Sequence, residues 1–467
     1  MNVCRTKCAS CWPSRRHERA WPLPSAKAPP VNEQAPHQFH LLGERRYAPF
    51  FWAVFLGSVN DNLLKFAVTL LLVYQAGSTA QPAWLTAGVV GPLTGALFII
   101  PSLLMSAMVG RLADRLPLDR LIRWGKALEV LMMVLAAGAW LAGHAWGLLG
   151  CLVLSGMHVT WFSTLKYAYV PQHLGPQELL GGNGLLEMGL FMAILLGTLA
   201  GGALMSSGDA LPWLPAGLLV LALAGWALSL QVPPTPVAQA SMAAVNETGL
   251  WRSLAPHGSG PGPWMPVLGI SWMWFFGATC LTLFPVVTHG VLQADPSVAS
   301  LLLVLTSVGI GLGALSCERL ARLLRTPGAL VALGAIGMAV FGADLAWSLD
   351  QIASRGAGPH RLSVLAFLAD TGHARLMIDL VAMACSLGWF SVPLYAQMQG
   401  RAAPTHRARV VAANNILNAG FILASSALVW GLDAVGLGAA ATLATVVGLH
   451  TTVMLLVWLS GAGQRSA

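Results

Sequence analysis

Charge is what this chain has least of. Asp, Glu, Lys and Arg supply only 9% of its 467 residues, while 56% are hydrophobic; an ordinary soluble domain carries roughly 25% charge. A bilayer, not water, is the solvent that such a composition suits. A cysteine framework is also missing: Cys4, Cys8 and Cys11 lie in a basic leader, and Cys151, Cys280, Cys317 and Cys385 are scattered through apolar segments. The Cys4-x3-Cys8-x2-Cys11 spacing imitates a metal site but has no obvious fourth ligand, so neither metal nor cofactor is expected. A single basic face is absent too. The net charge of +8 comes from residues set between apolar spans, which fits membrane topology better than nucleic acid.

What the chain has is long apolar runs. Segments free of Asp, Glu, Lys and Arg include Met188 to Gly208, Pro296 to Cys317, Leu380 to Gly400 and Val410 to Leu432, each near the ~20 residues that a spanning helix needs. Longer runs divide at turn residues. The pattern predicts an all-α membrane protein with twelve transmembrane helices. Six fall near residues 49–74, 86–109, 121–142, 145–165, 183–205 and 212–231; six more fall near 264–288, 298–317, 328–348, 376–397, 410–430 and 436–459. Residues 41–231 form an amino-terminal six-helix bundle, 232–263 a Pro- and Gly-rich cytoplasmic linker, and 264–467 a carboxy-terminal six-helix bundle.

Basic residues then set the orientation, because Lys and Arg collect on the cytoplasmic side. With both termini inside, the cytoplasmic segments hold Arg45, Arg46, Arg111, Arg115, Arg120, Lys166, Arg252, Arg319, Arg322, Arg325, Arg401, Arg407 and Arg409. The exception is the loop over 349–375, with Arg355 and Arg361, where a short re-entrant or amphipathic segment around Arg361 to Leu368 is expected. Residues 1–40 read as a disordered leader without the apolar core of a secretory signal. Translation is expected to begin at Val31, which would leave residues 1–30 untranslated.

One triplet stands out. Asn60-Asp61-Asn62 lies inside the run from Phe50 to Tyr74, about eleven residues and ~16 Å into a helix starting at Phe50. Ionisable groups at that depth are functional candidates by default. Lys65 is four residues on and shares a helix face with Asp61, which permits an internal ion pair.

Gly110-Arg111-Leu112-Ala113-Asp114-Arg115 resembles the cytoplasmic loop motif of the major facilitator superfamily. The resemblance implies that Arg111, Asp114 and Arg115 form a gating loop that latches and releases the two halves. Three further blocks are similar to the bacterial lysophospholipid transporter family, including the membrane domain fused to 2-acylglycerophosphoethanolamine acyltransferase. They are Arg45 to Asn62; Ser163 to Tyr167 with Pro171 to Leu174 and Gly181 to Met188; and Val392 to Tyr395 with His406 to Asn418. The segment from Ser271 to Leu283 departs from the stand-alone transporters in lacking an arginine. No His-x4-Asp motif occurs, so any acylation is expected from a separate acyltransferase.

The resemblance implies a major facilitator fold and a secondary transporter moving lysophospholipid, with lysophosphatidylethanolamine as the expected cargo, across the bacterial inner membrane. Asp61 is then the cation- or substrate-responsive acid, with Asn60, Asn62 and Lys65 beside it. Lys166, next to Tyr167, either snorkels to the headgroups or meets a lipid phosphate. Glu187 either balances an ethanolamine head or pairs with Lys166, and Asn183 is a candidate helix cap. Asn414 and Asn415, at the start of the eleventh helix, are expected to hydrogen-bond neighbouring helices. A drug or metabolite exporter, and a non-transporting partner of an acyltransferase, are the competing readings.

Overall fold

A computed structural model describes residues 37–75, 87–207, 210–235, 250–255, 262–324, 327–354 and 362–463. The leader up to residue 36, most of the linker, and Arg325, Arg355 and Arg361 lie outside the described residues, as does the expected start at Val31. Among the described residues there are 12 helices long and apolar enough to cross a membrane. They are α1 Ala48–Gln75, α2 Ala87–Arg115, α3 Leu118–Leu141, α4 Ala145–His173, α5 Leu179–Ser207, α6 Ala210–Ser229, α7 Trp264–Val286, α8 Pro296–Leu324, α9 Pro327–Ser354, α10 Ala374–Arg401, α11 Arg407–Ala434 and α12 Ala439–Gly463.

These segments stay helical even around internal prolines such as Pro171, Pro215, Pro285 and Pro393. They are runs of Leu, Ala, Val and Met, and in lipid every backbone polar group must be satisfied within its own segment. Pro296 and Pro327 open α8 and α9, positions where a missing N–H costs nothing. The outer faces remain apolar, with Leu104 and Trp430 both 75% exposed, as expected where the neighbour is hydrocarbon.

Several boundaries differ from the sequence expectation. The Gly110–Arg115 motif is not a loop but the last turns of α2; Leu112 and Ala113 are good helix formers, and the first breaker is Pro117. α4 runs on to His173, so Lys166 lies seven residues before its end rather than at it. α5 starts at Leu179, which puts Asn183 in its second turn instead of at the cap. α11 starts at Arg407, so Asn414 and Asn415 lie about two turns inside it. In the loop after α9, the short amphipathic segment is a helix at Val364–Ala369, capped by the Ser363 side chain.

Packing follows two groups. In the first, α1 packs on α5 and α6, α2 on α4, and α3 on α4 and α6; in the second, α7 packs on α11, α8 on α10, and α9 on α10 and α12. The groups meet through α5 against α8 and α2 against α11, with α4 and α10 contributing. Ahead of α1, a short 3-10 helix at Gln38–Gly43 crosses from the first group to the second. Gln38 donates its backbone N–H to Glu318 at 2.9 Å and its side-chain amide to the Leu315 carbonyl at 2.7 Å, both on α8.

Candidate functional site

The acid singled out from the sequence is 2% exposed and belongs to a sealed polar cluster. Asp61 accepts a hydrogen bond from Ser155 on α4 at 2.5 Å through Oδ1, and its Oδ2 lies 2.9 Å from His158 Nδ1. His158 Nε2 lies 3.2 Å from Glu129 Oε2 on α3, which also takes the Lys126 ammonium at 2.6 Å. Asn60 donates to Glu129 Oε1 at 3.2 Å and to the Leu218 carbonyl of α6 at 3.1 Å. The cluster therefore ties four helices together deep in the first group. Room for it comes from Gly57, where any Cβ would run into the Lys126 ammonium and the Glu129 carboxylate.

Asp61 and Lys65 attract each other through space but make no direct ion pair among the described residues. Lys65 shares the helix face, but its ammonium lies 4.7 Å over the Phe98 ring, while Asp61 turns to Ser155 and His158 on α4. Two bonds from a neighbouring helix hold the carboxylate where the flexible lysine stem does not. Asn62 also stays apart, donating to the Ser58 carbonyl of its own helix at 2.8 Å.

A second cluster sits where the two groups of helices meet. Tyr167 donates to Glu187, which is fully buried, and its ring stacks on Tyr395 of α10 at 4.3 Å. Trp274 of α7 donates to the Tyr395 hydroxyl at 3.1 Å. Lys166 places its ammonium 4.6 Å over the Tyr167 ring and is attracted through space by Glu187, with no direct ion pair among the described residues. Its side chain instead reaches a small cavity lined by Phe51, Phe55, Ser58 and Gly189. At 7% exposure and two turns inside α4, Lys166 cannot act as a snorkelling terminal lysine. Glu187 Oε2 has no hydrogen-bond partner among the described residues.

The third assembly is a latch at one end of the molecule. Asp114 accepts from Arg409 Nε at 2.9 Å and from the Ala408 backbone N–H at 3.1 Å. It thus satisfies a free N–H in the first turn of α11, where the helix dipole favours an anion. Asn183 and Gln399 exchange reciprocal amide bonds at 2.7 and 2.9 Å. Asn415 donates to Ser163 and Thr164, and Arg407 to the Pro171 carbonyl. Gly110 lets α2 approach α11 so closely that a Cβ there would overlap that of Ala412. Arg111 and Arg115 are exposed, and Asp114 carries an ion pair of the motif across the seam. Asn414 departs from expectation: it is fully buried, yet neither end of its amide has a hydrogen-bond partner among the described residues.

Outside the spans, Arg46 fastens the base of α1 to the α4–α5 turn, bonding Glu44, Glu178 at 2.6 Å and the His173 carbonyl at 2.9 Å. Its guanidinium, hydrogen-bonded to both acids, holds the Glu44 and Glu178 carboxyls below the usual range.

A family model described as "Major Facilitator Superfamily" matches residues 50–426. The chain belongs to that superfamily. Among curated proteins, it is 27% identical over 305 residues to "Lysophospholipid transporter LplT" of Serratia proteamaculans (strain 568), covering 62% of this chain and 69% of that one. It is 31% identical over 157 residues to the protein of the same name from Salmonella schwarzengrund (strain CVM19633), a match spanning about a third of each: 32% of this chain and 34% of the relative. Among solved structures, the human organic anion transporter MFSD10 (TETRAN) superposes with a TM-score of 0.65 at 16% identity, over 90% of this chain and 99% of that one. The fold is therefore that of a major facilitator carrier.

Within that superfamily frame, sequence reasoning missed several residues that complete these sites. Lys126, Glu129 and His158 escaped notice although the rule that found Asp61, an ionisable group inside an apolar span, applies equally to them. Trp274, Gln399 and Glu318 carry no such mark, since their roles depend on partners more than a hundred residues away.

Proposed function

We propose that this chain is a secondary carrier for lysophospholipid, with lysophosphatidylethanolamine as its cargo, moving it toward the cytoplasmic leaflet of the bacterial inner membrane. The observation that carries this reading is the pairing, at the seam, of a buried lysine that makes no direct ion pair with a buried carboxylate that attracts it through space and has one oxygen unused. An ammonium is a compact charge suited to a phosphate. Glu187, framed by Tyr167, Tyr395 and Trp274, suits the ammonium of an ethanolamine head, which gains from aromatic faces. The apolar walls from Phe51 and Phe55 suit an acyl chain. The relatives named lysophospholipid transporter support the same cargo.

Transport on this reading is rocking of the two helix groups, with no bond made or broken. The latched end faces the cytoplasm, a placement supported by the basic residues gathered there. Opening requires Asp114 to release Arg409 and Asn183 to release Gln399. Asp61, through its ties to α3 and α4, sets the relative position of helices within the first group. A separate acyltransferase would re-acylate the delivered lipid, a role supported by the likeness to acyltransferase-fused membrane domains.

The test is reconstitution. Purified protein in liposomes should accelerate the movement of labelled lysophosphatidylethanolamine between leaflets, and Asp61→Asn should sharply lower that rate while inserting normally. Wild-type protein that left lipid movement at the protein-free rate would refute the carrier reading.

A further inference from the structure

Most apolar side chains that this protein leaves open belong to the twelve spans, where hydrocarbon is the expected neighbour. One group lies outside them. Between α9 and α10, the short helix Val364–Ala369 has no polar residue in its whole length. Its Leu365 is 80% exposed, more than any other large hydrophobic side chain among the described residues. Leu368 is also exposed and lies three residues on, so the two side chains share one face. Phe367 turns inward instead: it is fully buried and stacks on His373, with ring centroids 4.4 Å apart.

The outward face is held in place. Ser363 caps the helix by accepting from the Ala366 N–H at 3.3 Å. Just ahead of it, Leu362 pairs with the turn between α7 and α8, accepting from the Asp295 N–H at 3.0 Å and donating to the Gln293 carbonyl at 3.2 Å. The helix also packs on α8. A loose segment would fold its leucines away from water; this one, fastened on both sides, presents them.

Depth decides what that face meets. Only the turn Thr371–His373 and its flanking residues separate the helix from Arg375, at the start of α10 and at the end opposite the latch. Arg375 Nε donates to Asp344 of α9 at 3.0 Å, and the guanidinium lies 4.3 Å over the Trp347 ring. A charged pair clamped to an exposed tryptophan marks the level where hydrocarbon gives way to headgroups. Beyond it, α10 turns Ile378 outward, 65% exposed, as a lipid-facing span does. Through its stack on His373, Phe367 fixes the apolar helix at that same boundary, beside the membrane-facing surface.

We infer that residues 362–369 form a foot that docks on the bilayer surface, with Leu365 and Leu368 set among the upper acyl chains of one leaflet and the helix backbone at headgroup level. Short apolar helices lying in the interface bury their faces to about this depth. The partner is lipid because the face continues the membrane-facing surface and offers no polar side chain with which to select a protein. The foot belongs to the second helix group alone and fixes the depth of that group in the leaflet. That the leaflet is the outer one rests on the orientation proposed above; the docking itself does not.

Spin-label accessibility tests this on the full-length, otherwise cysteine-free protein in nanodiscs of phosphatidylethanolamine and phosphatidylglycerol. Single labels are placed through Leu365→Cys, Leu368→Cys and Ile378→Cys, the last serving as the reference for a side chain in hydrocarbon. Labels at Leu365 and Leu368 should each collide with membrane-soluble oxygen several-fold more often than with a water-soluble nickel complex, as the Ile378 label does. Preferential collision with nickel at Leu365 and Leu368 would put the face in water and overturn the foot. Poor access to both reagents would show the face covered by protein, a second copy or another chain, and would overturn it equally. None of these outcomes depends on whether the protein moves lipid, so a failed transport assay and a failed foot are separate results.

Discussion

Replacing Asp114 with Asn tests the latch with little change of shape. In the present state the Asp114 carboxylate receives Arg409 Nε at 2.9 Å and the Ala408 N–H at 3.1 Å, and Arg409 is 1% exposed. The amide variant leaves that guanidinium buried without its counter-charge. Removing one partner of a buried ion pair costs about 3–5 kcal/mol. When the seam opens, Arg409 regains water, so the cost falls on the latched state alone and appears as a shift between states. Taking the lower figure, at 1.4 kcal/mol per tenfold, the ratio of latched to unlatched molecules should fall by about a hundredfold. The assay is the distance between spin labels on cysteines placed at Arg120 and Gly400, both exposed near the latched end, in an otherwise cysteine-free protein. The parent should give mainly the short distance, and Asp114→Asn should add a dominant longer one. An unchanged distance distribution would refute the assignment of this pair as the element that holds the state.

Gly110→Leu should bias the same equilibrium by steric means, since its Cβ would overlap Ala412; the same spin-label distance should lengthen while thermal stability stays near that of the parent. Lys166→Ala and Glu187→Gln should each lower the lipid transport rate at least tenfold, about 1.4 kcal/mol or more, with normal membrane insertion; wild-type rates would return both residues to a structural role. Lys126→Met should destabilise the fold by about 3–5 kcal/mol, and adding Glu129→Leu should recover most of it, because the cost lies in the uncompensated charge rather than in the lost contact; thermal melting in detergent reads both. The Glu44 and Glu178 carboxyls have folded pKa values below their unfolded ones, so their contribution is complete above the ordinary carboxylate value of about 4.3 and is lost as pH falls through the depressed folded values. Proteolysis of the α4–α5 turn should therefore rise at acid pH, and Arg46→Gln should flatten that dependence.

The spans were legible because bilayer physics writes them into composition: about twenty apolar residues make one crossing, whatever the neighbours. Their ends were less so. The Gly110–Arg115 segment looked like a loop because it is charged, but charge at a membrane surface does not stop a helix, and α2 continues until Pro117 can stop it. Asp61 is conspicuous as an acid in an apolar run, and the sequence offers Lys65, one turn away on the same helix, as its nearest opposite charge. Ser155 and His158 lie more than ninety residues on, and nothing local says that α4 will be the helix beside it. The same holds for the Asn183 and Gln399 pair, where each amide reads alone as an ordinary polar residue. Asn414 shows the opposite failure, since the local reading supplied it with partners that its place in α11 does not provide.

The bond from Gln38 to Glu318 makes the chain's entry segment a tether between bodies that otherwise move apart. Only the few residues between Gln38 and the first turn of α1 span that gap, and a backbone so short cannot follow a wide swing of α8. The tether must let go before the seam opens far. Hydrogen exchange at the Gln38 amide therefore counts openings directly, and a label or fusion joined ahead of it would pull on the mechanism rather than hang beside it.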